Sequence, residues 1–539
     1  MYIAHINKDS DKQSIKEHSV NTAELCKEYA IPPFKNFMYT VGLMHDIGKF
    51  QQSFQRRILG NKPIKVEHSI CGAKEIPKIL HFKKCSILKL VAQLCIAGHH
   101  SGIPNVGCRK DTQEDSTLEG RLKRKTEDYS MYKSELKVEL NNQISEQEQK
   151  DICDFLCKDY KPTDQNLINK FAFFVRYCFS CLTDAVSIDT AEFFGDKVNA
   201  PLTADFVKCL EKTNKKLHSF KCKTKLQKAR TSIQNQVFEK VDKDSEIYLI
   251  NMPTGSGKTL CSIKFALERA IKKKKKRIIY VIPYNSIINQ VAEEFESLLG
   301  ESAQILRHQS TFDYDDPDNN KNNDENYRKA CEFAIENWDS QFIITTAVQF
   351  FESIYKNTRK KLRKLHNMSD SILIFDETHL MPTEYLKPCL DAICYITKYL
   401  NSEAVFLTAT MPDYHKLIRS YSLKNSQILN LVNETSEFEV FKKCKFRYIG
   451  EIGFENLIKQ TGGFPSSLIV VNTKSSAEKI FELCPSGNKK YHLSTYMTSR
   501  DRENTINKIK DELNKLEEDF PNLENVPENR KITVISTSL

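Results

Sequence analysis

From residue 246 onward the chain alternates short β-branched runs with stretches whose apolar positions recur every three or four residues. Ile247-Tyr-Leu-Ile250, Ile278-Ile-Tyr-Val-Ile282, Phe342-Ile-Ile-Thr345, Ile372-Leu-Ile-Phe375 and Ala404-Val-Phe-Leu407 read as buried strands. Leu260, Ile263, Leu267 and Ile271, after the first of these, share one face of a helix. The alternation predicts a parallel sheet covered by helices. A second such unit opens near Phe446, with Ser467-Leu-Ile-Val-Val471 and Ile532-Thr-Val-Ile535 as strands. Residues 1 to about 200 differ: they carry long amphipathic stretches and few convincing strands, and read as helical. A lysine-rich segment, 212–228, reads as a linker or the lead into the next domain. The Asp- and Asn-rich residues 313–326 read as a polar surface loop, and the six basic residues 272–277 as a solvated loop.

Composition narrows the picture without deciding it. With 539 residues, 40% hydrophobic and 28% charged, the chain has room for about three or four ordinary globular domains. No run of about 18 apolar residues predicts a membrane span, and Met1-Tyr-Ile-Ala-His5 lacks a secretory signal pattern, so no membrane is expected. Seventeen scattered cysteines suggest reduced thiols and a cytoplasmic setting. Cys178-Phe-Ser-Cys181 has metal-like spacing, but it lies in an apolar run and reads as core helix; Trp338 also reads as core. A net charge of +10 permits nucleic-acid binding without requiring it.

The sharpest chemistry lies at Met252-Pro-Thr254-Gly255-Ser256-Gly257-Lys258-Thr259, between a strand and a helix. Strand, glycine loop and helix together form a phosphate cradle: backbone amides turn inward and the helix N-terminus adds positive charge. Lys258 is placed for the outer phosphates of a nucleotide and Thr259 for Mg2+. A later strand ends in Asp376-Glu377-Thr-His379, which puts a carboxylate beside that cradle. Asp376 is then the magnesium ligand, and Glu377 the base that orients the attacking water. Thr408-Ala-Thr410 ends the next strand, where hydroxyls could report nucleotide state.

The N-terminal region gathers a second chemistry: His18, His45-Asp46, His68 and His99-His100, all on segments that read as helical. Imidazole and carboxylate donors suit Mn, Fe, Co or Ni rather than a structural zinc thiolate site. A shared aspartate can bridge two ions that activate water or clamp phosphate oxygens. Neighbouring histidines on a helix point about 100° apart, so His99 and His100 belong at a helix end or turn.

The cradle and the Asp-Glu-x-His segment resemble superfamily 2 helicases. Further motifs narrow the resemblance to the helicase–nucleases of type I CRISPR systems. They are Tyr280-Val-Ile-Pro-Tyr284 with Ile287, Glu336-Asn-Trp-Asp339 before Thr345-Thr346, Val471-Asn-Thr-Lys474, and His492-Leu-Ser-Thr495 with Arg500 and Arg502. The resemblance implies an all-α HD nuclease domain (1–205), a basic linker (206–240), an α/β RecA-like helicase lobe on a parallel sheet (241–440) and a partial second lobe (441–539). It implies His18, His45 and Asp46 as ligands of one ion, and Asp46, His68, His99 and His100 as ligands of the other. Lys49 matches a basic residue that meets the scissile phosphate.

The family's last ligand lies in a helical Leu-x-Asp-Ala-Asp-like segment, here Leu182-Thr-Asp-Ala-Val-Ser-Ile-Asp189. Val186 replaces the second aspartate, so Asp184 is the expected ligand and Asp189 an expected surface residue. For the motor, the resemblance adds His379 to the ATP-site residues. The expected activity is metal-dependent cutting of single-stranded DNA coupled to ATP-driven translocation in antiviral defence. Recruitment would come from a CRISPR surveillance complex carrying guide RNA and target DNA. Because the motif opened by Val534-Ile-Ser-Thr-Ser538 breaks off, ATP binding is expected without efficient hydrolysis by this chain alone. Two rivals stay open: an HD phosphohydrolase acting on small nucleotides, and an inactive remnant that binds nucleic acid and ATP.

Overall fold

The structure, a computed structural model, describes residues 2–60, 66–80, 86–140, 144–158, 165–195, 202–309, 325–420, 426–485, 487 and 489–537. Most of the stretch read as a polar loop at 313–326 lies outside the described residues. The chain divides into two units, Met1–Lys442 and Lys443–Leu539.

The first unit begins with an antiparallel hairpin, β1 (Ile3–Ile6) and β2 (Lys12–Ser14). Strands this short leave no readable alternation in the sequence. Helix α1 (Ile15–Tyr29) follows at once, its first turn capped by the Ser14 side chain, which accepts from Glu17 N. Next come α2 (Lys35–Met44), α3 (Gln52–Gly60), α4 (Ser69–Ile79) and α5 (Ser86–Gly98). α1 and α2 touch closely because Gly42 has no side chain: a Cβ there would lie 2.8 Å from the Ala23 Cα.

The spine is α6 (Gln165–Phe193), which buries Phe174, Tyr177, Cys178, Phe179, Cys181 and Leu182. Cys178 and Cys181 are therefore core residues, as their apolar surroundings predict. By length and composition, α6 is the one helix among the described residues that could cross a bilayer, but 78% of its most apolar window is buried within the protein.

Residues 206–240, expected as a linker, instead fold into α7 (Phe206–His218) and α8 (Lys225–Phe238). The lysines mask an amphipathic pattern: Ala229, Ile233 and Val237, spaced four apart, are buried in the same core as Phe265 and Tyr248.

The sheet beyond has seven parallel strands in the order β5-β6-β4-β7-β8-β3-β9. In chain order they are β3 (Ile247–Asn251), β4 (Arg277–Ile282), β5 (Ile305–His308), β6 (Phe342–Thr346), β7 (Ser371–Asp376), β8 (Glu403–Thr408) and β9 (Ile428–Asn430). Helix α9 (Lys258–Lys272) joins β3 to β4. All five strands read from the sequence are present, and their near-continuous apolar runs match a sheet covered on both faces. The four-residue β5 and three-residue β9, at the edges, gave no comparable signal. Because β8 lies between β7 and β3, the strand ends at Asp376, Thr408 and Asn251 are neighbours.

The basic run 272–277 is largely paired: Lys272 with Asp242, Lys273 with Asp244, Lys276 with Asp370 and Arg277 with Asp339. Trp338 is fully buried and donates to His308 Nδ1 at 3.0 Å.

The second unit is a smaller parallel sheet, ordered β10-β12-β11. Its elements are α10 (Phe454–Thr461), β10 (Ser466–Val471), α11 (Lys474–Leu483), β11 (Lys489–Leu493), α12 (Ser499–Asp519) and β12 (Ile532–Thr537). β11, with its two lysines and a histidine, is the strand the hydrophobic pattern misses.

Candidate metal centre and nucleotide cradle

Four helices and the turns beyond them converge on Asp46. α1 supplies His18, the residues just after α2 supply His45 and Asp46, His68 caps α4, and His99 and His100 follow the last residue of α5. The helix end required by the adjacent histidines is thus present.

Asp46 is fully buried and divides its two oxygens between two groups. Oδ2 faces His18 Nε2 and His45 Nε2, each at 3.3 Å. Oδ1 faces His99 Nε2 at 3.3 Å and His68 Nε2 at 3.5 Å. The structure brings the donor atoms of His18, His45 and Asp46 within 4.8 Å of one another, and likewise those of Asp46, His68, His99 and His100. Among the described residues no group containing cysteine matches these.

The outer ring nitrogens explain why the inner ones point inward. Nδ1 of His45 bonds Gly42 O at 2.6 Å and Nδ1 of His99 bonds Ile96 O at 2.7 Å. Carbonyl partners leave the proton on Nδ1 and a lone pair on Nε2. Nε2 of His18, His45 and His99 and both Asp46 oxygens are buried without a hydrogen bond, Oδ2 being met only by the Lys49 ammonium in an ion pair. Buried polar atoms are rarely left so. Three imidazole nitrogens facing both oxygens of one carboxylate fit a divalent cation centre.

Burial pushes the His45 and His99 imidazoles below their ordinary range and His68 to about 4, while His99 and then burial lower His100. Burial would raise the Asp46 carboxyl, but Lys49, His45 and His18 outweigh it and hold it well below the usual range. Neutral imidazoles around an ionised carboxylate are the form that binds metal. Lys49 is 4% exposed, with Nζ 2.8 Å from Asp46 Oδ2.

Asp184 does not join this cluster. Its carboxylate accepts from Arg363 Nε at 2.8 Å and Asn337 Nδ2 at 3.2 Å, and His366 Nε2 lies 3.5 Å away. The expectation that it is a ligand is therefore corrected, and so is the placement of Asp189 at the surface. Asp189 is 3% exposed; its Oδ2 meets His18 Nδ1 at 2.5 Å, and Gln13 and Asn21 donate to it. Five residues turn a helix by roughly 140°, so Asp184 and Asp189 face different neighbours. Positions 186 and 189 differ by only about 60°, so Asp189 shares the face that Val186 occupies. That three-residue offset was the available signal.

His5 is a second residue the sequence reading missed: its Nε2 lies 3.2 Å from Lys49 Nζ. Burial, Lys49 and His18 push it down to about 3, which leaves the ring neutral and able to accept.

The cradle is built as its motif requires. Gly255 and Gly257 both have φ of 84°, a left-handed conformation suited to glycine, and α9 starts at Lys258. α8 supports the loop: Gln234 donates to Ser256 O at 3.0 Å and Arg230 to Gly255 O at 2.7 Å. Thr254 is exposed on the loop and Thr259 half-buried in the first helical turn. Lys258 Nζ pairs with Glu377 Oε1 at 2.5 Å. Tyr280 OH donates to Asp376 Oδ2 at 3.0 Å, and burial raises the Asp376 carboxyl despite that bond. His379 Nδ1 lies 2.7 Å from Thr408 Oγ1, which in turn lies 3.3 Å from Glu377 Oε2. A continuous polar chain thus joins the phosphate-loop lysine to the Thr-Ala-Thr segment.

A histidine–aspartate metal centre and a strand–loop–helix nucleotide site on one chain define the class: an HD domain fused to a DEAD/DEAH-type helicase domain. Family comparison agrees, with the HD domain matching residues 15–131 and the DEAD/DEAH box helicase matching residues 231–417. Among curated proteins, the chain is 28% identical over 214 residues to the CRISPR-associated nuclease/helicase Cas3 of Haloferax volcanii, covering 36% of this chain and 23% of that protein. It is 25% identical over 175 residues to the human U5 small nuclear ribonucleoprotein 200 kDa helicase, covering 32% of this chain and 7% of the other. Among solved structures, T. fusca Cas3 with AMPPNP superposes with a TM-score of 0.65 at 12% identity, covering 99% of this chain and 69% of that one. A chain of a CRISPR RNA-guided surveillance complex, pre-nicking, gives 0.54 at 11% identity, covering 100% and 67%. The chain is thus similar to Cas3 proteins and carries an HD match ahead of a DEAD/DEAH helicase match; domains of these two kinds generally bind a metal ion and a magnesium nucleotide.

Proposed function

We propose that this chain is a CRISPR-associated nuclease–helicase that cuts single-stranded DNA at the Asp46 centre and binds ATP in a motor lobe of the kind that drives movement along DNA. The observation that carries the proposal is the division of Asp46 between two imidazole groups, with Lys49 beside it and an ATP cradle on the same chain. His18, His45 and Asp46 would hold one ion and Asp46, His68, His99 and His100 the other, with Mn, Fe, Co or Ni suited to such donors. Bound metal supplies an activated water and neutralises phosphate charge.

The residues of this chain do the rest. Asp46 fixes the spacing of the two groups, and Nδ1 bonds fix the ring orientations of His18, His45 and His99. Lys49 directs an ammonium at the scissile phosphate and neutralises charge that grows in the transition state. In the cradle, Lys258, now paired with Glu377, would hold the outer phosphates, and Asp376, now bonded by Tyr280, would hold magnesium. Glu377, once released, orients the attacking water, and His379 with Thr408 carries the change to the Thr-Ala-Thr segment. A cytoplasmic setting and recruitment by a surveillance complex with guide RNA and target DNA follow from likeness to Cas3. DNA should be held by its phosphates, so affinity should fall steeply with salt.

The test is degradation of circular single-stranded DNA with Mn, Co, Ni or EDTA, each with and without ATP, beside a His45→Ala/Asp46→Ala control. Metal-dependent cutting that the control loses supports the proposal. No cutting by folded protein with any of the metals overturns it, and hydrolysis of free nucleotides alone would point to a small-molecule phosphohydrolase.

A further inference from the structure

The hairpin β1–β2 lies ahead of the residues matched by the HD family, yet both strands reach the metal centre. β2 brings Gln13, whose side chain donates to Asp189 Oδ2 at 2.9 Å. β1 brings His5, whose ring meets that of His18 edge-on at 4.8 Å and whose Nε2 accepts from Lys49 Nζ at 3.2 Å. One side chain locks this arrangement. Gln55 Oε1 accepts from Ile3 N at 3.0 Å, while its Nε2 donates to Ile3 O at 3.0 Å and to Lys49 O at 2.9 Å. The strand that carries His5 is thus fastened to the backbone that carries Lys49. Phe193 and Phe194, with ring centroids 6.3 and 6.1 Å from that of His5, close its far side.

A lysine ammonium has three donors on a flexible stem. Here Asp46 lies at 2.8 Å and His5 takes a second direction, which leaves one N–H for a phosphate oxygen. From this placement we infer that His5 is a positioning residue: it holds the Lys49 ammonium in the orientation that meets the scissile phosphate, and the hairpin exists to deliver it. The inference rests on the nuclease reading above for its consequence, but the contact itself is open to separate test.

Two full-length variants decide it. His5→Phe keeps the aromatic packing and removes the acceptor; His5→Gln restores an acceptor where Nε2 stood. The first readout is the rate at which Lys49 of the metal-free protein is reductively methylated, followed by peptide mass spectrometry. It should rise about 5-fold in His5→Phe, as a held group becomes free, and stay at the wild-type rate in His5→Gln. The second is Mn2+ affinity by calorimetry, which should be unchanged in both variants. The third is single-stranded DNA cutting: kcat should drop roughly 10-fold in His5→Phe, in the range of lost outer partners, with KM held and His5→Gln rescuing. His5→Phe added to Lys49→Ala should cost nothing further, because the two act as one unit.

Unchanged methylation in His5→Phe overturns the inference, as does an equal rise in His5→Gln. A loss of Mn2+ affinity as large as that of His18→Ala also overturns it, by making His5 a ligand. If the wild-type chain cuts no DNA with any metal, the nuclease reading fails, while methylation still decides the His5–Lys49 contact.

Discussion

The metal centre and the nucleotide cradle solve opposite problems. At Asp46, five buried polar atoms face one another without hydrogen bonds, and their rings are fixed from outside by carbonyls and by Asp189. In the cradle the reactive groups are satisfied by each other: Lys258 by Glu377, Asp376 by Tyr280, His379 by Thr408. The first arrangement is preorganised and should bind its cation with little movement. On the proposed reading the second would exchange internal partners for phosphate and magnesium, which would couple binding there to the strand ends that carry those partners. Rigidity suits cutting at a fixed point, and exchangeable pairs suit a cycle of binding and release.

The largest effect should come from breaking each site without the other. Asp46→Ala removes the carboxylate common to both imidazole groups, and Mn2+ affinity should fall by more than the roughly 10–100-fold typical of losing an outer partner. ATP affinity should not change. Lys258→Ala should do the reverse, abolishing ATP binding while calorimetry with Mn2+ matches the wild type. If Lys258→Ala also weakens Mn2+, the two sites are not independent and the contrast fails.

The two aspartates of α6 sharpen the comparison within one helix. Asp189 supports the metal centre through His18, so Asp189→Asn should lower Mn2+ affinity by roughly 10–100-fold with little change in melting temperature. Asp184 supports the junction with the sheet through Arg363, which also pairs with Glu336. Asp184→Ala leaves Arg363 buried beside a lost partner and should cost about 3–5 kcal/mol of stability, with Mn2+ affinity kept. The opposite pattern would restore Asp184 as a ligand.

That pair also shows what the sequence could and could not convey. The sheet, the cradle and Asp376 were legible because apolar runs and a glycine loop are local signals. His18, His45, Asp46, His68, His99 and His100 were legible as donor types, and the structure gathers them. The choice between Asp184 and Asp189 was not, since it turns on which helix face meets Arg363 and which meets His18, residues 179 and 171 positions away. His5 was hidden for the same reason: it sits on a four-residue strand whose partner, Lys49, is 44 positions distant. Helices α7 and α8 were missed because lysine content outweighed a four-residue apolar spacing.

The smallest expected effect concerns acid stability. His366 is buried against Asp184 and stacked on Tyr29 at 4.7 Å, and burial, then Arg277, pushes it down to about 3. An unfolded histidine titrates near 6.5. Between about 6.5 and 3, the unfolded chain takes up a proton that the folded chain refuses, so this contribution is complete above 6.5 and is lost as pH falls. From pH 7.5 to 5.5 the loss from this one group should be about 1 kcal/mol. His366→Gln should therefore show a shallower fall in denaturation midpoint over that interval than the wild type. An equally steep fall in the variant would mean that His366 is not held neutral at the junction. Because His366 is not among the donors gathered at Asp46, Mn2+ affinity at a fixed pH should be the same in the variant and the wild type, which keeps the junction and the metal centre separable.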